Sequence, residues 1–295
     1  MENQSGSFNR LADQRVAIVG LGLMGGSLAL ALRGKCAVLL GIDSDPQTCA
    51  LALDGGVVDQ ATVDPGDLMP QASLVILAAP VQAILQLIVE LPNLHPGQAV
   101  VLDLGSTKVE IAEALRALPE RLSPVGGHPM CGKENNSLRH ADPVIYQAAP
   151  FVLTRLSNSS EQALALVEEL VRAVGARPLW LEAEEHDRWV AATSHLPYLL
   201  ANALALSAPT EAAPVIGPGF RSTARLAGSS RRMMLDILMT NQANVLTTME
   251  RLRWVLDQIE SALARGDFVV LEEWLEQGAK QYAAILDADL QDKHG

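Results

Sequence analysis

Over the first 183 residues, short apolar runs alternate with longer stretches in which apolar residues recur at helical spacing. The first four apolar runs are rich in β-branched residues and leucine and show little alternation, a pattern typical of strands buried on both faces of a parallel sheet. With a fifth run, they have the length of strands and end in turn residues: 15–20, 37–43, 74–80, 99–105 and 150–155.

Helix-spaced segments separate these runs, and a further helix and a short strand follow the fifth run. The helical segments lie at 26–32, 46–53, 81–91, 108–118 and 161–174, and the short strand lies at 178–182. Strands that alternate with helices predict βαβ units with right-handed crossovers. The sequence therefore predicts an α/β domain over residues 1–183.

From residue 184 the pattern becomes helical. Long helical patterns cover 184–208 and 231–265, and a turn at Gly266 leads to a final helix from about Phe268 to Asp289. The segment between the two long patterns is rich in Gly, Pro, Ser and Thr, which predicts a loop with one short helix. We therefore predict an all-helical domain over residues 184–295. Its apolar helical patterns exceed what so short a domain buries alone, which predicts a homodimer with two-fold symmetry.

Composition narrows the class of protein. Of the 295 residues, 49% are hydrophobic and 19% are charged, which excludes a disordered, collagen-like or coiled-coil chain. The 34 acidic residues outnumber the 22 basic ones, so the net charge of -12 has the wrong sign for a nucleic-acid partner.

The sequence also bears on location and metals. The chain opens on polar residues without a signal-peptide pattern, and its most apolar stretch, 73–92, is broken by Pro80 and Gln82. We therefore expect a cytoplasmic globular protein with no membrane span. Three scattered cysteines, with no metal-ligand spacing, predict neither a disulfide framework nor a metal site.

Residues 20–25 read G-x-G-x-x-G and connect the first predicted strand to the first helix. Gly20 allows the tight turn, Gly22 lets a pyrophosphate approach the backbone, and Gly25 lets the helix pack on the strand. The N–H groups at the start of the helix, around Leu23 and Met24, suit the phosphates. The motif in this context predicts a dinucleotide site; glycines that serve packing alone are the alternative.

Asp43 ends the second predicted strand, 18 residues after Gly25. A carboxylate there can accept hydrogen bonds from both ribose hydroxyls of a dinucleotide. A 2′-phosphate would be repelled at the same position, so Asp43 favours NAD over NADP as the cofactor. The alternative is a turn residue in the segment DSDP.

Candidate catalytic residues follow the next strands, at the carboxyl edge of the sheet where such folds place the nicotinamide. Ala79 and Pro80 follow one predicted strand, and Ser106 follows the next. His128 lies in a predicted loop that contains two glycines and a proline. A neutral imidazole there can accept a proton from a substrate alcohol as hydride leaves the same carbon.

Each of these residues also has a structural interpretation. His128 could be a structural loop histidine, and Ser106 could be the N-cap of the helix predicted over 107–118, instead of or besides bonding the substrate hydroxyl and the nicotinamide amide. Lys108 is interpreted as a surface lysine or a loop anchor.

Five segments of the chain together resemble the prephenate/arogenate dehydrogenase family of tyrosine biosynthesis, over about Arg15 to Asp287. They are GLGLMGGSLA (20–29), DLGSTK (103–108), VGGHPMCG (125–132), SHLP (194–197) and GFRSTARLA (219–227). The resemblance implies an NAD(P)-linked oxidative decarboxylation of a small cyclohexadienol. The product is 4-hydroxyphenylpyruvate from prephenate, or tyrosine from arogenate.

The resemblance also implies roles for individual residues. His128 matches the histidine that polarises the ring hydroxyl, Ser106 the serine that orients it, and Arg225 an arginine that grips the substrate. A planar guanidinium that meets a carboxylate with two hydrogen bonds suits that last role. Arg221, four residues earlier, is interpreted as structural or interface-forming.

His195 and Tyr198 are three residues apart and share a helix face, which predicts a wall of the substrate site or, equally, a core histidine. Pro197 between them predicts a kink. His186 precedes His195 by nine residues, which places it around the opposite side of a regular helix. We therefore interpret His186 as a structural or interface residue.

Several positions depart from the family pattern and leave the choice between prephenate and arogenate open. Lys133 stands where many members have threonine, and Ser222 stands where aspartate is common. Tyr198 stands where others carry histidine, and Met234 where others carry tryptophan. Lys133 and Glu134 predict a solvated surface pair, with a gate or carboxylate-reading pair as the alternative.

Two other classes of protein stay as alternatives. β-Hydroxyacid dehydrogenases join a similar glycine turn to a helical domain, but they use a lysine of that domain, and residues 184–279 contain no lysine. A non-catalytic NAD-binding protein would not need His128, Ser106 and Arg225 in one cleft.

Overall fold

The computed structural model describes residues 10–133 and 137–294, with side chains described as far as residue 289. Its centre is an eight-stranded sheet in the order β3-β2-β1-β4-β5-β6-β7-β8, in which β7 runs antiparallel to β6 and every other neighbouring pair is parallel. The strands are β1 Arg15–Val19, β2 Val38–Ile42, β3 Gln60–Thr62, β4 Leu74–Leu77, β5 Ala99–Asp103, β6 Leu122–Pro129, β7 Pro150–Thr154 and β8 Arg177–Trp180.

Helices connect the strands, and the chain after β8 is helical, as the sequence pattern predicts. They are α1 Leu23–Leu32, α2 Pro46–Asp54, α3 Pro65–Leu68, α4 Val81–Leu94, α5 Val109–Arg116, α6 Glu161–Ala173, α7 Ala183–Val190, α8 Leu196–Ser207, α9 Pro218–Ala224, α10 Arg231–Thr240, α11 Gln242–Ala264 and α12 Phe268–His294. The α/β domain followed by a helical one is therefore confirmed.

Both faces of the sheet are buried, which explains the continuous apolar runs. In β1, Val16 and Ile18 belong to one hydrophobic cluster, while Ala17 and Val19 belong to the cluster on the other face. Successive side chains of a strand point to opposite faces, so helices must cover both sides of β1.

The strand β6 was not predicted, and the prediction that His128 lies in a loop is wrong. The sequence of β6, LSPVGGHP, is poor in strand-forming residues. The two glycines permit the strand because it lies very close to its neighbours: a Cβ on Gly127 would lie 2.6 Å from the carbonyl oxygen of Asp103. His128 is therefore held on a strand and pairs with Val152 of β7.

The predicted helix over 231–265 is interrupted at Asn241, between α10 and α11. Asn241 leaves the helical conformation, with φ of -130°. Its side-chain amide is committed to other contacts: it donates to the carbonyl oxygen of Asp187 at 2.7 Å and lies 3.3 Å from Nδ1 of His195. These polar contacts explain a break that the apolar pattern does not reveal.

The helical segment in which a kink is predicted at Pro197 is interrupted before that residue by a π-helical turn. This turn, Ala191–His195, separates α7 from α8, and Pro197 stands in the first turn of α8. A proline is tolerated in the first turn of a helix, where its missing N–H is not needed.

Residue contacts divide the chain into two compact units after Asn241. The second unit is a hairpin of α11 and α12 that turns at Gly266, where φ is +65°, and the rings of Trp254 and Trp274 pack edge to face at 5.6 Å. Within the described residues, no helix has the length and apolar character needed to cross a membrane.

We expect Gly127→Ala to lower the free energy of unfolding by about 1–3 kcal/mol, the usual cost of overpacking. The added Cβ would meet backbone of β5, which has little freedom to move. Gly278→Ala is the matched control, because a Cβ there meets nothing within 4 Å and alanine favours the helix by roughly 0.5–1 kcal/mol. Chemical denaturation followed by circular dichroism measures both; equal stability of the two variants would contradict the close approach.

Candidate active site

The glycine turn brings the carboxyl ends of β1 and β4 together. Gly20 has φ of +97°, and a Cβ on it would lie 2.5 Å from the carbonyl oxygen of Ala78. A Cβ on Gly25 would lie 1.9 Å from the carbonyl oxygen of Gly20. Since β1 and β4 are adjacent while the chain order reverses there, the turn lies at the topological switch point where α/β folds bind ligands.

The start of α1 is open to an anionic ligand. Gly22 is the N-cap residue, and no side chain among the described residues caps the helix. Within this part of the chain, the N–H groups of its first turn, including those of Leu23 and Met24, therefore have no side-chain acceptor. Asp43, at the end of β2, accepts hydrogen bonds from the N–H groups of Leu21 at 2.7 Å and Asp45 at 2.9 Å. An anion-binding helix terminus beside a carboxylate fits a dinucleotide.

The carboxyl ends of β4 and β5 continue this edge. Ala79 and Pro80 follow β4, with Pro80 directly before α4. Ser106 follows β5 and is half-buried. The predicted cofactor residues therefore lie along one edge of the sheet, from the end of β2 to the end of β5.

Asp103, at the end of β5, organises the loop that contains Ser106. Its carboxylate accepts hydrogen bonds from the N–H of Gly105 at 2.8 Å and of Gly127 at 3.1 Å, and it forms an ion pair with the ammonium of Lys108. Lys108 is completely buried. The interpretation of Lys108 as a surface lysine is therefore wrong, and the loop-anchor interpretation is confirmed.

The helix that follows is capped by a residue from the helical part of the chain. The carboxylate of Asp187 accepts hydrogen bonds from the N–H groups of Lys108 at 2.7 Å and Val109 at 2.9 Å. These are the N-cap and first residues of α5. The alternative in which Ser106 is the N-cap is wrong, because the helix starts later than predicted.

His128 makes a contact that the sequence analysis missed. Its Nδ1 lies 2.8 Å from Nε2 of His186, and Nδ1 of His186 lies 2.8 Å from Oδ1 of Asp187. His186 and Asp187 are each 1% exposed. The placement of His186 on the opposite side of the helix from His195 is wrong, since the π-helical turn between the two histidines changes the angle that a regular helix would give.

His195 lies in the same cluster and is also buried. The pKa of His195 is lowered to about 4, chiefly by burial; the nearby Asp187 opposes this shift and His186 adds to it. Burial also lowers the pKa of His128 well below the ordinary value, with contributions from His186, Lys108 and His195. The pKa of His186 is lowered by burial as well. All three imidazoles are therefore neutral at pH 7.

The remaining predicted substrate residues lie on the elements that follow. Tyr198 is 9% exposed and packs with Met234 and Ile237 in a small apolar cluster. Arg225 begins a 3₁₀ turn that packs on α8, and its side chain is exposed, as is that of Arg221. The structure thus places His195 near enough to His128 to affect its pKa, and it leaves Arg225 exposed on the turn that packs on α8.

Of the predicted pair of Lys133 and Glu134, the structure describes only Lys133. Lys133 forms an ion pair with Asp142 at 2.8 Å, and both side chains are exposed. Glu134 lies outside the described residues.

The lowered pKa of His195 makes stability depend on pH. The unfolded chain binds a proton at His195 below pH 6.5, whereas the folded chain does so only near pH 4, so the free energy of unfolding falls as the pH drops through this window. We expect His195→Gln to reduce the slope of this decline. Exposed His140→Gln is the control and should keep the slope of the parent protein, as measured by denaturation at several pH values. An unchanged slope in His195→Gln would contradict the burial of a neutral histidine.

Two family models match most of the chain. Residues 28–179 match the prephenate dehydrogenase nucleotide-binding domain, and residues 182–277 match the prephenate dehydrogenase dimerization domain. Prephenate dehydrogenase of Bacillus subtilis is 30% identical over 274 residues, or 88% of this chain and 72% of that protein. Cyclohexadienyl dehydrogenase of Zymomonas mobilis is 30% identical over 291 residues, or 94% and 98% of the two chains.

A solved structure agrees with this assignment. The crystal structure of prephenate dehydrogenase from Aquifex aeolicus, in complex with hydroxyphenyl propionate and NAD+, is 28% identical to this chain, with a TM-score of 0.85. The similarity covers 93% of this chain and 99% of that one. The chain therefore belongs to the prephenate dehydrogenase family and is an NAD-dependent oxidoreductase, with an α/β nucleotide-binding domain followed by a helical domain.

Proposed function

We propose that this enzyme catalyses the oxidative decarboxylation of prephenate to 4-hydroxyphenylpyruvate. The observation that carries the proposal is His128, a neutral imidazole on β6 beside the loop that follows β5. Membership of the prephenate dehydrogenase family supplies the substrate class.

The cofactor is held along the edge from β2 to β5. The binding residues are Gly20, Gly22, Leu23, Met24, Gly25, Asp43, Ala79, Pro80 and Ser106. NAD bound there supplies the acceptor for the hydride that leaves the substrate. The carboxylate of Asp43, beside the glycine turn, accepts hydrogen bonds from the ribose hydroxyls and repels a 2′-phosphate, which favours NAD over NADP.

His128 is the catalytic base. A neutral imidazole accepts the proton of the ring hydroxyl while hydride leaves the same carbon. The ring carboxylate leaves as CO₂ from the opposite carbon, and the electron pair of that bond makes the ring aromatic. The ring oxygen then takes the proton back from His128, which gives the hydroxyl of 4-hydroxyphenylpyruvate. Ser106 orients the hydroxyl from the loop that Asp103 anchors.

Residues of the helical elements bind the substrate. Arg225 binds a carboxylate of the substrate with its planar guanidinium, while His195 and Tyr198 form a wall of the site. We likewise propose that residues 1–183 form the NAD-binding domain and residues 184–295 the substrate and dimerization domain, a division that the two family matches support.

We also propose that the enzyme is a homodimer. Large apolar side chains of α11 and α12 are exposed in the single chain, among them Leu246, Leu256, Leu263, Val269, Leu275 and Ile285. Burial of such surface against a second copy is favourable. The match to a dimerization domain supports this state, and a cytoplasmic location remains part of the proposal.

A second candidate is the oxidation of arogenate to tyrosine, alone or together with prephenate. The similarity to a cyclohexadienyl dehydrogenase along nearly its whole length favours this candidate. The two substrates differ in the side chain, so they differ in the charge that the site must accept.

Formation of NADH by the purified protein tests the proposal, with prephenate and arogenate each offered NAD and NADP. We expect turnover of prephenate with NAD and a higher kcat/KM with NAD than with NADP. Turnover of arogenate alone would favour the second candidate, and no turnover with any of the four pairs would contradict both.

His128→Asn tests the role of the base. Loss of a positioned proton acceptor should lower kcat about 10²- to 10⁴-fold. His140→Asn, at an exposed histidine outside the site, is the control and should keep the kcat of the parent protein. Near-normal turnover by His128→Asn would exclude it as the base.

A further inference from the structure

The carboxylate of Asp187 is oriented so that both of its oxygens act as acceptors. Oδ1 accepts from the N–H of Lys108 and Oδ2 from the N–H of Val109, and a backbone N–H can only donate. The carbonyl oxygen of Asp187 is itself held by the side chain of Asn241. The start of α5 and the side chain of Asn241 therefore both fix Asp187, and its Oδ1 presents an acceptor to His186.

That acceptor determines the proton positions in the two imidazoles. Nδ1 of His186 must carry a hydrogen in order to donate to Asp187, so in a neutral ring Nε2 of His186 has none. Nε2 then accepts from Nδ1 of His128 across the 2.8 Å contact. In a neutral His128, the nitrogen left without a hydrogen is Nε2.

We propose that His186 and Asp187 are positioning residues that hold His128 in the tautomer with hydrogen on Nδ1, so that Nε2 accepts the substrate proton. The inference rests on the proposed role of His128 as the base. His186 and Asp187 would act on His128 as the carboxylate of a Ser-His-Asp triad acts on its histidine, which it holds in the correct tautomer.

The charges around the cluster fit this arrangement. Lys108 lies near both His128 and His186, and its positive charge favours neutral rings. Asp187 and Asp103 oppose this effect at His186, and His195 adds to it at His128. When His128 takes the substrate proton, its Nδ1–H donates a stronger, charge-assisted hydrogen bond to His186, which Asp187 supports from behind.

His186, and not Asp187, is the residue to change, because Asp187 also caps α5. His186→Asn shortens the side chain, so its amide can still donate to Asp187 but no longer reaches His128. His186→Gln extends to His128 and offers an oxygen that accepts from Nδ1. His95→Asn is the matched control, since His95 is a buried histidine that contacts the carbonyl oxygen of Ala72, away from the site.

The experiment combines nitrogen-15 NMR of the histidine rings, without substrate, with steady-state kinetics on prephenate. In the parent protein we expect hydrogen on Nδ1 of His128. His186→Asn should give a mixture of tautomers and a kcat about 10- to 100-fold lower, the usual cost of losing an orienting partner, with an unchanged Kd for NAD. His186→Gln should restore most of kcat, and His95→Asn should match the parent protein.

The inference is overturned if Nε2 of His128 carries the hydrogen in the parent protein. It is equally overturned if His186→Asn keeps both the tautomer and the kcat, or if His186→Gln is as impaired as His186→Asn. A parent protein that fails to oxidise prephenate would count against the proposed function, while the NMR spectrum would still decide the tautomer.

Discussion

A buried carboxylate at the end of β5 is the constraint on which the site depends. Asp103 is fully buried and binds two backbone N–H groups and the ammonium of Lys108. A buried ion pair contributes little net stability, but removal of one partner costs about 3–5 kcal/mol because the other charge is left buried. The pair therefore fixes the loop containing Ser106 against β6, the strand that carries His128.

A second carboxylate, Asp187, ties the helical part of the chain to the sheet. It caps α5 and contacts His186, so the same side chain sets the start of a helix and the surroundings of His128. Since Asp187 is held in turn by Asn241, a polar network and not only apolar packing sets the geometry of the site. Such a network is rigid when every member is paired.

The parts of the site that sequence could predict are those encoded locally. The glycine turn and Asp43 depend on a strand, a turn and a helix that are close together in the chain, and the structure has those elements in place. His128 was identified as a candidate base, but its strand was not, because β6 is held by glycines that allow close approach to β5.

The rest depends on contacts between residues far apart in the chain. The spacing of a regular helix places His186 on the opposite side from His195, whereas the π-helical turn between them brings His186 to His128. Asn241 and Lys108 look like ordinary residues of a helix and a surface until their partners, Asp187 and Asp103, are known. No spacing in the sequence signals these pairs.

The central claim is that hydride transfer needs a neutral His128. The rate of the first turnover of prephenate with NAD, measured against pH, tests it most directly. The account predicts a rate that falls in acid as one proton binds, with a midpoint below the ordinary histidine pKa of 6.5, because burial and the neighbouring Lys108, His186 and His195 oppose protonation. A midpoint at or above 6.5, or a rate that does not fall in acid, would contradict it.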